Sequence, residues 1–237
     1  MALPKELIDA ARDLLVVSDE SGRPDLWLWE RAERVMNLAQ MIAVFPEVRE
    51  VGDDPPDLAA VAAAGLFADA GWAIQVRQGE VDCWRLLGRP TNEIQRELGV
   101  SALNECARTH LSADSLEIAT QAIRECNERY TRLPEARALA EAENLDDIGI
   151  MYVLRQFRQH QSEGRPLEQL VLNWSRQVEY RYWEARINDC LRWEFTRHLA
   201  RERLKSVEQL MLAVARDRDA ADLKNALNNA GIEFPQS

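Results

Sequence analysis

Two acidic stretches contain the residues whose types and spacing could do chemistry. In GLFADAGW, residues 65–72, an alanine-rich apolar run ends at Asp69, and Ala68 stands where a metal-binding protein could place a histidine. Further along, Glu143 and Asp147 are four residues apart and share one face of a predicted helix. Two carboxylates on one face can perform acid–base chemistry. Neighbouring acids on an acidic protein usually form a solvated face, however, and we expect this for the pair.

Arginines beside aromatic residues could hold an anion or stack on a nucleotide base. They occur in RQGEVDCWRLLGRP (77–90) and in RQFRQHQSEGRP (155–166). Such mixtures are common on helical surfaces, so they indicate a nucleotide site only weakly. The sequence has no glycine-rich phosphate loop before a helix and no Gly-x-Ser-x-Gly nucleophile elbow.

Histidine and cysteine form no recognisable metal-binding pattern. His110, His160 and His198 lie on separate predicted segments, and none has a second histidine or a carboxylate at ligand spacing. The four cysteines are scattered without a Cys-x-x-Cys pair, which favours reduced thiols. We therefore expect surface or supporting roles for the histidines, and we expect no cofactor.

The composition limits the classes of partner. Of the 237 residues, 46% are hydrophobic and 29% charged, enough for one core with a small appendage. The net charge is −11, so the surface repels nucleic-acid backbones. The sequence starts without a signal-peptide pattern, and no apolar run approaches the roughly 18 residues of a membrane span. We predict a cytoplasmic protein whose partners include neither nucleic acid nor a membrane.

The spacing of apolar residues predicts an all-α protein. Val35, Leu38, Ala39 and Ile42 form one stripe with the i, i+3, i+4, i+7 period of a helix, and no segment alternates as a strand does. Stretches rich in glycine, proline and capping residues separate the helices at 18–25, 45–57, 86–93 and 162–166.

A second apolar stripe lies later in the chain. Trp183, Ile187 and Leu191 recur every four residues, which predicts one face of a long helix. An aromatic stripe at this spacing is more often core than a partner-binding face. The alternative is that it forms the seam of a homodimer.

Four motifs together resemble a known family. They are LWERAERVMNLAQMIA (28–43), AAGLFADAGW (63–72), AEAENLDDIG (140–149) and FTRHLARERLKSVEQLM (195–211). In their order and helical context they resemble the HD-domain family of metal-dependent phosphohydrolases. The resemblance implies an HD-domain helical bundle in which a metal is held by an early His, an adjacent His-Asp pair and a later Asp. It divides the chain into an N-terminal helix and loop (1–25), an HD-like helical domain (26–215) and a C-terminal helix or tail (216–237).

The sequence departs from this family at the histidine ligands. Arg31 occupies the position of the first His, although the Arg34 and Val35 that follow it match the motif. Ala68 occupies the position of the second His, beside the retained Asp69. A guanidinium stays protonated and has no lone pair to offer, so it repels a cation.

The last family ligand is also changed. Similar members read Asp-Ala-Asp where this chain has Glu141, Ala142 and Glu143. The resemblance implies that Arg31 faces Asp69 and Glu141 in a cleft and forms an ion pair in place of the metal. The alternative is that Arg31 extends into solvent from a helix end.

Two functions follow from the resemblance. The favoured one is a non-catalytic regulatory or ligand-binding module that holds a small anion or nucleotide, with no catalytic or metal-binding residue. Its vestigial metal positions are Arg31, Ala68, Asp69 and Glu141, and its candidate ligand-binding residues are Arg31, Arg34, Asp69 and Glu141. The alternative is an active metal-dependent phosphohydrolase with an atypical site, acting on nucleotides or other phosphate esters.

Overall fold

The protein is described by a computed structural model that covers residues 3–19, 21–52 and 54–232. The predicted all-α class is confirmed. The helices are α1 (Lys5–Leu15), α2 (Trp27–Ala43), α3 (Pro46–Arg49), α4 (Leu58–Phe67), α5 (Ala70–Arg77), α6 (Glu93–Ala107), α7 (Ala113–Glu125), α8 (Pro134–Asp146), α9 (Ile150–Ser162), α10 (Leu167–Glu179), α11 (Tyr182–Cys190), α12 (Glu194–Arg218) and α13 (Ala221–Asn229). A 3₁₀ turn spans Cys83–Arg85, and two short antiparallel strands, β1 (Val17–Ser18) and β2 (Pro24–Asp25), precede α2.

The core of the bundle is built around α4, which packs against α2, α7 and α8. Every residue of α4 from Ala59 to Phe67 is buried, because small alanine side chains let neighbouring helices approach closely on all sides. Asp57 caps the start of α4 by accepting backbone N–H bonds from Ala59 and Ala60. Helix α1 is part of the same core and buries Leu7, Ala11 and Leu15.

The apolar stripe of α2 lies in this core as the sequence predicts, with one exception. Val35, Ile42 and Leu145 are buried together in it, as are Leu66 and Ile148. Leu38 is only half-buried, because it lies at the edge of the α2 stripe and lines a surface cavity.

One stretch contradicts the expectation that no apolar run is long enough to cross a membrane. Residues Leu58–Arg77 meet that criterion by length and composition. In the folded protein, 89% of the most apolar 18-residue segment of this stretch is buried. A break at Ala68 and Asp69 divides the stretch into α4 and α5. The stretch therefore forms core helices of this fold.

Two glycines fix the backbone beside Asp69 and at the turn after α8. A Cβ at Gly71 would lie 2.0 Å from the backbone oxygen of Gln95, so only glycine allows α5 to cross α6 this closely. This crossing sets the position of Asp69, immediately before α5. Gly149 has a φ of +129° and turns the chain sharply between α8 and α9.

The predicted long helix through Trp183 and Leu191 is interrupted. Helix α11 ends at Cys190 and α12 begins at Glu194, while Leu191 is extended. The physical reason lies in the N–H of Arg192, which donates to a carboxylate of α8 instead of continuing the helix. Trp183, Ile187 and Leu191 are buried, so the prediction that the stripe is core is confirmed, and the stripe is not exposed as a dimer seam.

Candidate functional site

The buried Arg31 of α2 is the centre of the candidate site. Its Nε lies 2.8 Å from Asp69 Oδ2, and its Nη1 lies 2.8 Å from Asp146 Oδ2 and 2.8 Å from Asp147 Oδ1. The predicted ion pair between Arg31 and Asp69 is confirmed, and the alternative of an arginine in solvent is wrong. Burial alone would lower the pKa of Arg31, but the charges of the three aspartates hold it well above its usual value.

Asp69 is held from both sides. Its Oδ2 accepts from Arg31, and its Oδ1 accepts from the Thr91 hydroxyl, which itself accepts from the indole N–H of Trp72 at 3.0 Å. Burial acts to raise the pKa of Asp69, but the Arg31 charge and these hydrogen bonds outweigh it and lower the pKa. Asp69 therefore stays ionised in a buried place because its partners are fixed. Ala68, at the second vestigial position, is also buried and ends α4.

Asp147, just after α8, joins three helices. Its carboxylate accepts from Arg31 of α2, from Arg155 Nη1 of α9 at 2.6 Å, and from Arg186 Nη2 of α11 at 3.2 Å. Burial would raise the pKa of Asp147, but the three guanidinium charges lower it to about 2. One carboxylate is thus shared by three cations.

The prediction that Glu141 faces Arg31 is wrong. The Glu141 carboxylate accepts instead from the backbone N–H of Arg192 and from the hydroxyl of Thr196 on α12, each at 2.5 Å. Asp146 reaches Arg31 in its place. The two acids are five residues apart on α8 and therefore point about 140° apart around the helix axis.

Arg34, the other arginine proposed as a ligand-binding candidate, lies on the opposite side of Asp146. Its Nε is 2.7 Å from Asp146 Oδ1. Arg34 lines a cavity of about 420 Å³ with apolar residues that include Met41 and Ile150, whereas Arg31 lines a different cavity. Arg31 and Arg34 consequently do not converge on one ligand.

The cavity beside Arg31 has a volume of about 600 Å³, and most of the residues that line it are charged or polar. Three carboxylates line it, those of Glu143, Asp147 and Asp189. Five guanidinium groups line it as well, those of Arg31, Arg89, Arg96, Arg155 and Arg186. Sequence reasoning missed Arg96 and Arg186 entirely. Arg89 and Arg155 belong to the two arginine-rich stretches that seemed uninformative.

Glu143 and Asp147 do not form the solvated face that their spacing suggested. The guanidinium of Arg96 binds Glu143 through two nitrogens, at 3.1 and 2.9 Å. Burial acts to lower the pKa of Arg96, but the charge of Glu143 raises it. Both acids of the pair are therefore held by arginines on the cavity wall, and neither is free to act as a base.

The three aspartates of the site converge on a cation that belongs to the protein itself. A guanidinium occupies the point where Asp69, Asp146 and Asp147 converge. Within residues 3–19, 21–52 and 54–232, no group of three or more His, Cys, Asp or Glu side chains is arranged to hold a metal. Of the expected surface or supporting roles, the surface role does not apply to His160, which is buried and whose Nδ1 lies 2.8 Å from the Gln156 carbonyl of its own helix.

Comparison with known proteins supports the fold. No protein-family model and no curated protein matches the sequence. A crystal structure described as a predicted HD superfamily hydrolase, from an uncultured Thermotogales bacterium, superimposes with a TM-score of 0.53. The match has 19% sequence identity and covers 90% of this chain and 91% of that chain. The chain has the all-α HD-domain fold, as the resemblance implied.

The buried Glu141 gives the fold a predictable dependence on pH. Burial raises its pKa to about 7, although the hydrogen bonds from Thr196 and Arg192 oppose this. Because the folded pKa lies above the unfolded value of 4.5, folding favours the protonated form. The free energy of unfolding should therefore fall as pH rises from about 4.5 to 7, by up to about 3 kcal/mol.

We expect Glu141→Gln to remove most of this change in the free energy of unfolding with pH, since a neutral amide can accept from Arg192 and donate to Thr196. Urea unfolding at pH 5 and pH 8 measures the effect. The control is Glu117→Gln, which alters an exposed acid and should keep the wild-type slope. An unchanged slope in Glu141→Gln would show that Glu141 is not the titrating group.

Proposed function

We propose that this chain is a non-catalytic HD-domain protein of the cytoplasm that binds a small anion. The ligand is a phosphate ester or nucleotide, bound in the arginine-lined cavity beside Arg31. Binding such a ligand serves a regulatory or carrier role and requires no metal.

The observation that carries this proposal is the threefold pairing of buried Arg31. Its guanidinium binds Asp69, Asp146 and Asp147 at 2.8 Å each, and so neutralises carboxylates that otherwise repel one another. A metal ligand must offer a lone pair to a cation, and a guanidinium cannot. Arg31 thus provides the positive charge of the site as a permanent part of the protein.

The cavity also keeps N–H donors available for a ligand. Within the part of the chain that the structure describes, Nη2 of Arg31 and Nη2 of Arg155 make no hydrogen bond. Arg89 is exposed at the rim, 5.7 Å above the Trp72 ring, and forms no salt bridge to any described residue. One guanidinium group can donate two parallel hydrogen bonds to two oxygens of a phosphate or carboxylate, so these donors favour an anion.

The charges around the cavity balance one another. Five guanidinium groups and three carboxylates line the cavity. Asp69 and Asp146, which lie behind the wall and pair with Arg31, balance the remaining positive charge. An anion is therefore bound mainly through the free N–H donors of the arginines.

Calorimetric titration with inorganic phosphate at low ionic strength tests the proposal. We expect saturable binding by the wild type and about tenfold weaker binding by Arg89→Ala, because the variant loses a charged hydrogen-bond donor without breaking an internal pair. Arg108→Ala removes an exposed arginine outside the cavity lining and should bind as the wild type does. Absence of binding by the wild type, or equal binding by Arg89→Ala, would contradict the proposal.

The same preparations should be assayed for hydrolysis of p-nitrophenyl phosphate with and without added Mn²⁺. We expect no turnover above that of a protein-free blank. Mn²⁺-dependent turnover by the wild type would instead support the metal-dependent phosphohydrolase.

A further inference from the structure

A second cavity adjoins the arginine-lined one. It has a volume of about 380 Å³, within the usual range for small-molecule pockets. Tyr182 and Gln156 line both cavities, so the two share a wall. Four aromatic side chains contribute to the second cavity, those of Tyr152, Trp174, Tyr180 and Tyr182.

Three of the four rings of this aromatic cavity are held in place from behind by the buried Trp183. Its ring meets Tyr152 edge-on at 4.8 Å and Tyr182 edge-on at 5.1 Å, and lies 6.0 Å from Trp174. The Tyr152 hydroxyl accepts from Gln177 Nε2 at 2.9 Å, which fixes its ring further. A ligand ring would therefore meet a preformed surface, and little side-chain freedom would be lost on binding.

The backbone is strained at both cavities. Arg181, between Tyr180 and Tyr182, has a φ of 51°, and Leu87, in the wall of the arginine-lined cavity, has a φ of 58°. A residue other than glycine is strained in this region, because its Cβ approaches the following carbonyl oxygen. Such strain is concentrated at functional sites, where it holds side chains in a required geometry. At Arg181 it places two tyrosines on either side of a sharp turn, both lining the aromatic cavity.

The aromatic and cationic walls are connected by two arginines. Arg155 stacks over the Tyr152 ring at 5.6 Å and donates to Asp147. Arg186 donates to the Tyr182 hydroxyl at 3.2 Å and also to Asp147. A molecule that joins a flat ring to an anionic group could thus contact both walls at once.

We infer that the ligand is an anion carried on a flat aromatic or heteroaromatic ring, with the ring in the aromatic cavity and the anionic group against the arginines. This inference rests on the proposed function and adds a subsite to it. Stacking of a flat ring on tyrosine and tryptophan tolerates different rings, since each has a π-face.

Calorimetric titrations with AMP, UMP and ribose 5-phosphate test the inference. These probes share the sugar phosphate, and only the first two carry a flat heteroaromatic base. We expect the wild type to bind AMP at least tenfold more tightly than ribose 5-phosphate, and to bind UMP with intermediate affinity because its ring is smaller.

The matched variants are Tyr180→Ala and Tyr130→Ala. Both remove highly exposed tyrosines, 76% and 85% exposed, so both should fold, and only Tyr180 lines the aromatic cavity. We expect Tyr180→Ala to weaken AMP binding five- to tenfold and to leave ribose 5-phosphate binding unchanged, while Tyr130→Ala changes neither.

Equal affinities for AMP and ribose 5-phosphate would overturn the ring subsite and leave the anion site standing. An unchanged AMP affinity in Tyr180→Ala would also overturn it, since the ring would then bind elsewhere. Failure of the wild type to bind any of the three probes or inorganic phosphate would overturn the proposed function as well.

Discussion

Replacing Arg31 by methionine should lower the free energy of unfolding by about 3–5 kcal/mol, the usual cost of removing one partner of a buried ion pair. The substitution leaves Asp69 buried with only the Thr91 hydroxyl as a partner, and it removes one of the three cations around Asp147. Arg31→Lys should have an intermediate effect, because an ammonium keeps the charge but cannot reproduce the planar fork of donors. Urea unfolding at pH 7 measures all three proteins.

The control is Arg124→Met. Arg124 pairs with Glu97 at 2.7 Å, but both side chains are about half exposed, so the variant should lose less than about 1 kcal/mol. Equal losses in the two methionine variants would mean that the Arg31 cluster contributes no more than a surface pair.

Acid provides a second test of the Arg31 cluster. The pKa values of Asp69 and Asp147 are lowered in the folded state, that of Asp147 to about 2. Their contribution to stability is therefore present above the unfolded value of 3.8 and is lost as pH falls through the folded values. Between pH 4 and pH 2 the wild type should lose more stability than Arg31→Met, so the difference in the free energy of unfolding between the two proteins should become smaller. A difference that stays constant over this pH range would contradict the ion pairs of Arg31.

Restoring the two histidines should create a metal site. In the double variant Arg31→His, Ala68→His, imidazoles stand beside Asp69, and the guanidinium no longer occupies the point where the three aspartates converge. Asp146 still pairs with Arg34, and Asp147 still pairs with Arg155 and Arg186. We expect the affinity for Mn²⁺ or Ni²⁺ to rise at least a hundredfold above that of the wild type. Each single variant should gain much less, because coordination depends on the number of donors that converge.

A matched control for the repair is the double variant Arg34→His, Ala68→His. It adds the same two imidazoles but leaves Arg31 among the aspartates, so it should gain little affinity. Calorimetric titration compares the variants, with circular dichroism to confirm folding, since Ala68 is buried and a larger side chain displaces its neighbours. Similar gains in both double variants would show that Arg31 is not what keeps the metal out.

The helical class could be predicted from local signals, whereas the pairing of Arg31 with Asp69 was implied by the family resemblance. Apolar stripes recur with the period of a helix, and the motif places both residues at defined positions on α2 and at the start of α5. Asp69 is further fixed by Gly71, whose close contact with Gln95 leaves little freedom to move.

Which carboxylate of α8 pairs with Arg31 could not be predicted in the same way. Choosing between Glu141 and Asp146 requires the rotation of α8 about its axis, and a motif match gives only the position along the chain. Arg155 and Arg186 reach Asp147 from helices that pack around it only in the folded chain, and nothing in their local sequence indicates a shared carboxylate. The aromatic cavity is also tertiary, since its residues come from α9, α10 and α11.

We propose that Arg31 permanently occupies the place of a metal. Elemental analysis of the purified wild-type protein, after incubation with Mn²⁺, Fe²⁺, Ni²⁺ and Zn²⁺ and removal of free ions, measures this occupancy. We expect far less than one metal ion per chain for each element. One chelator-removable ion per chain, lost in an Asp69→Asn variant, would contradict it.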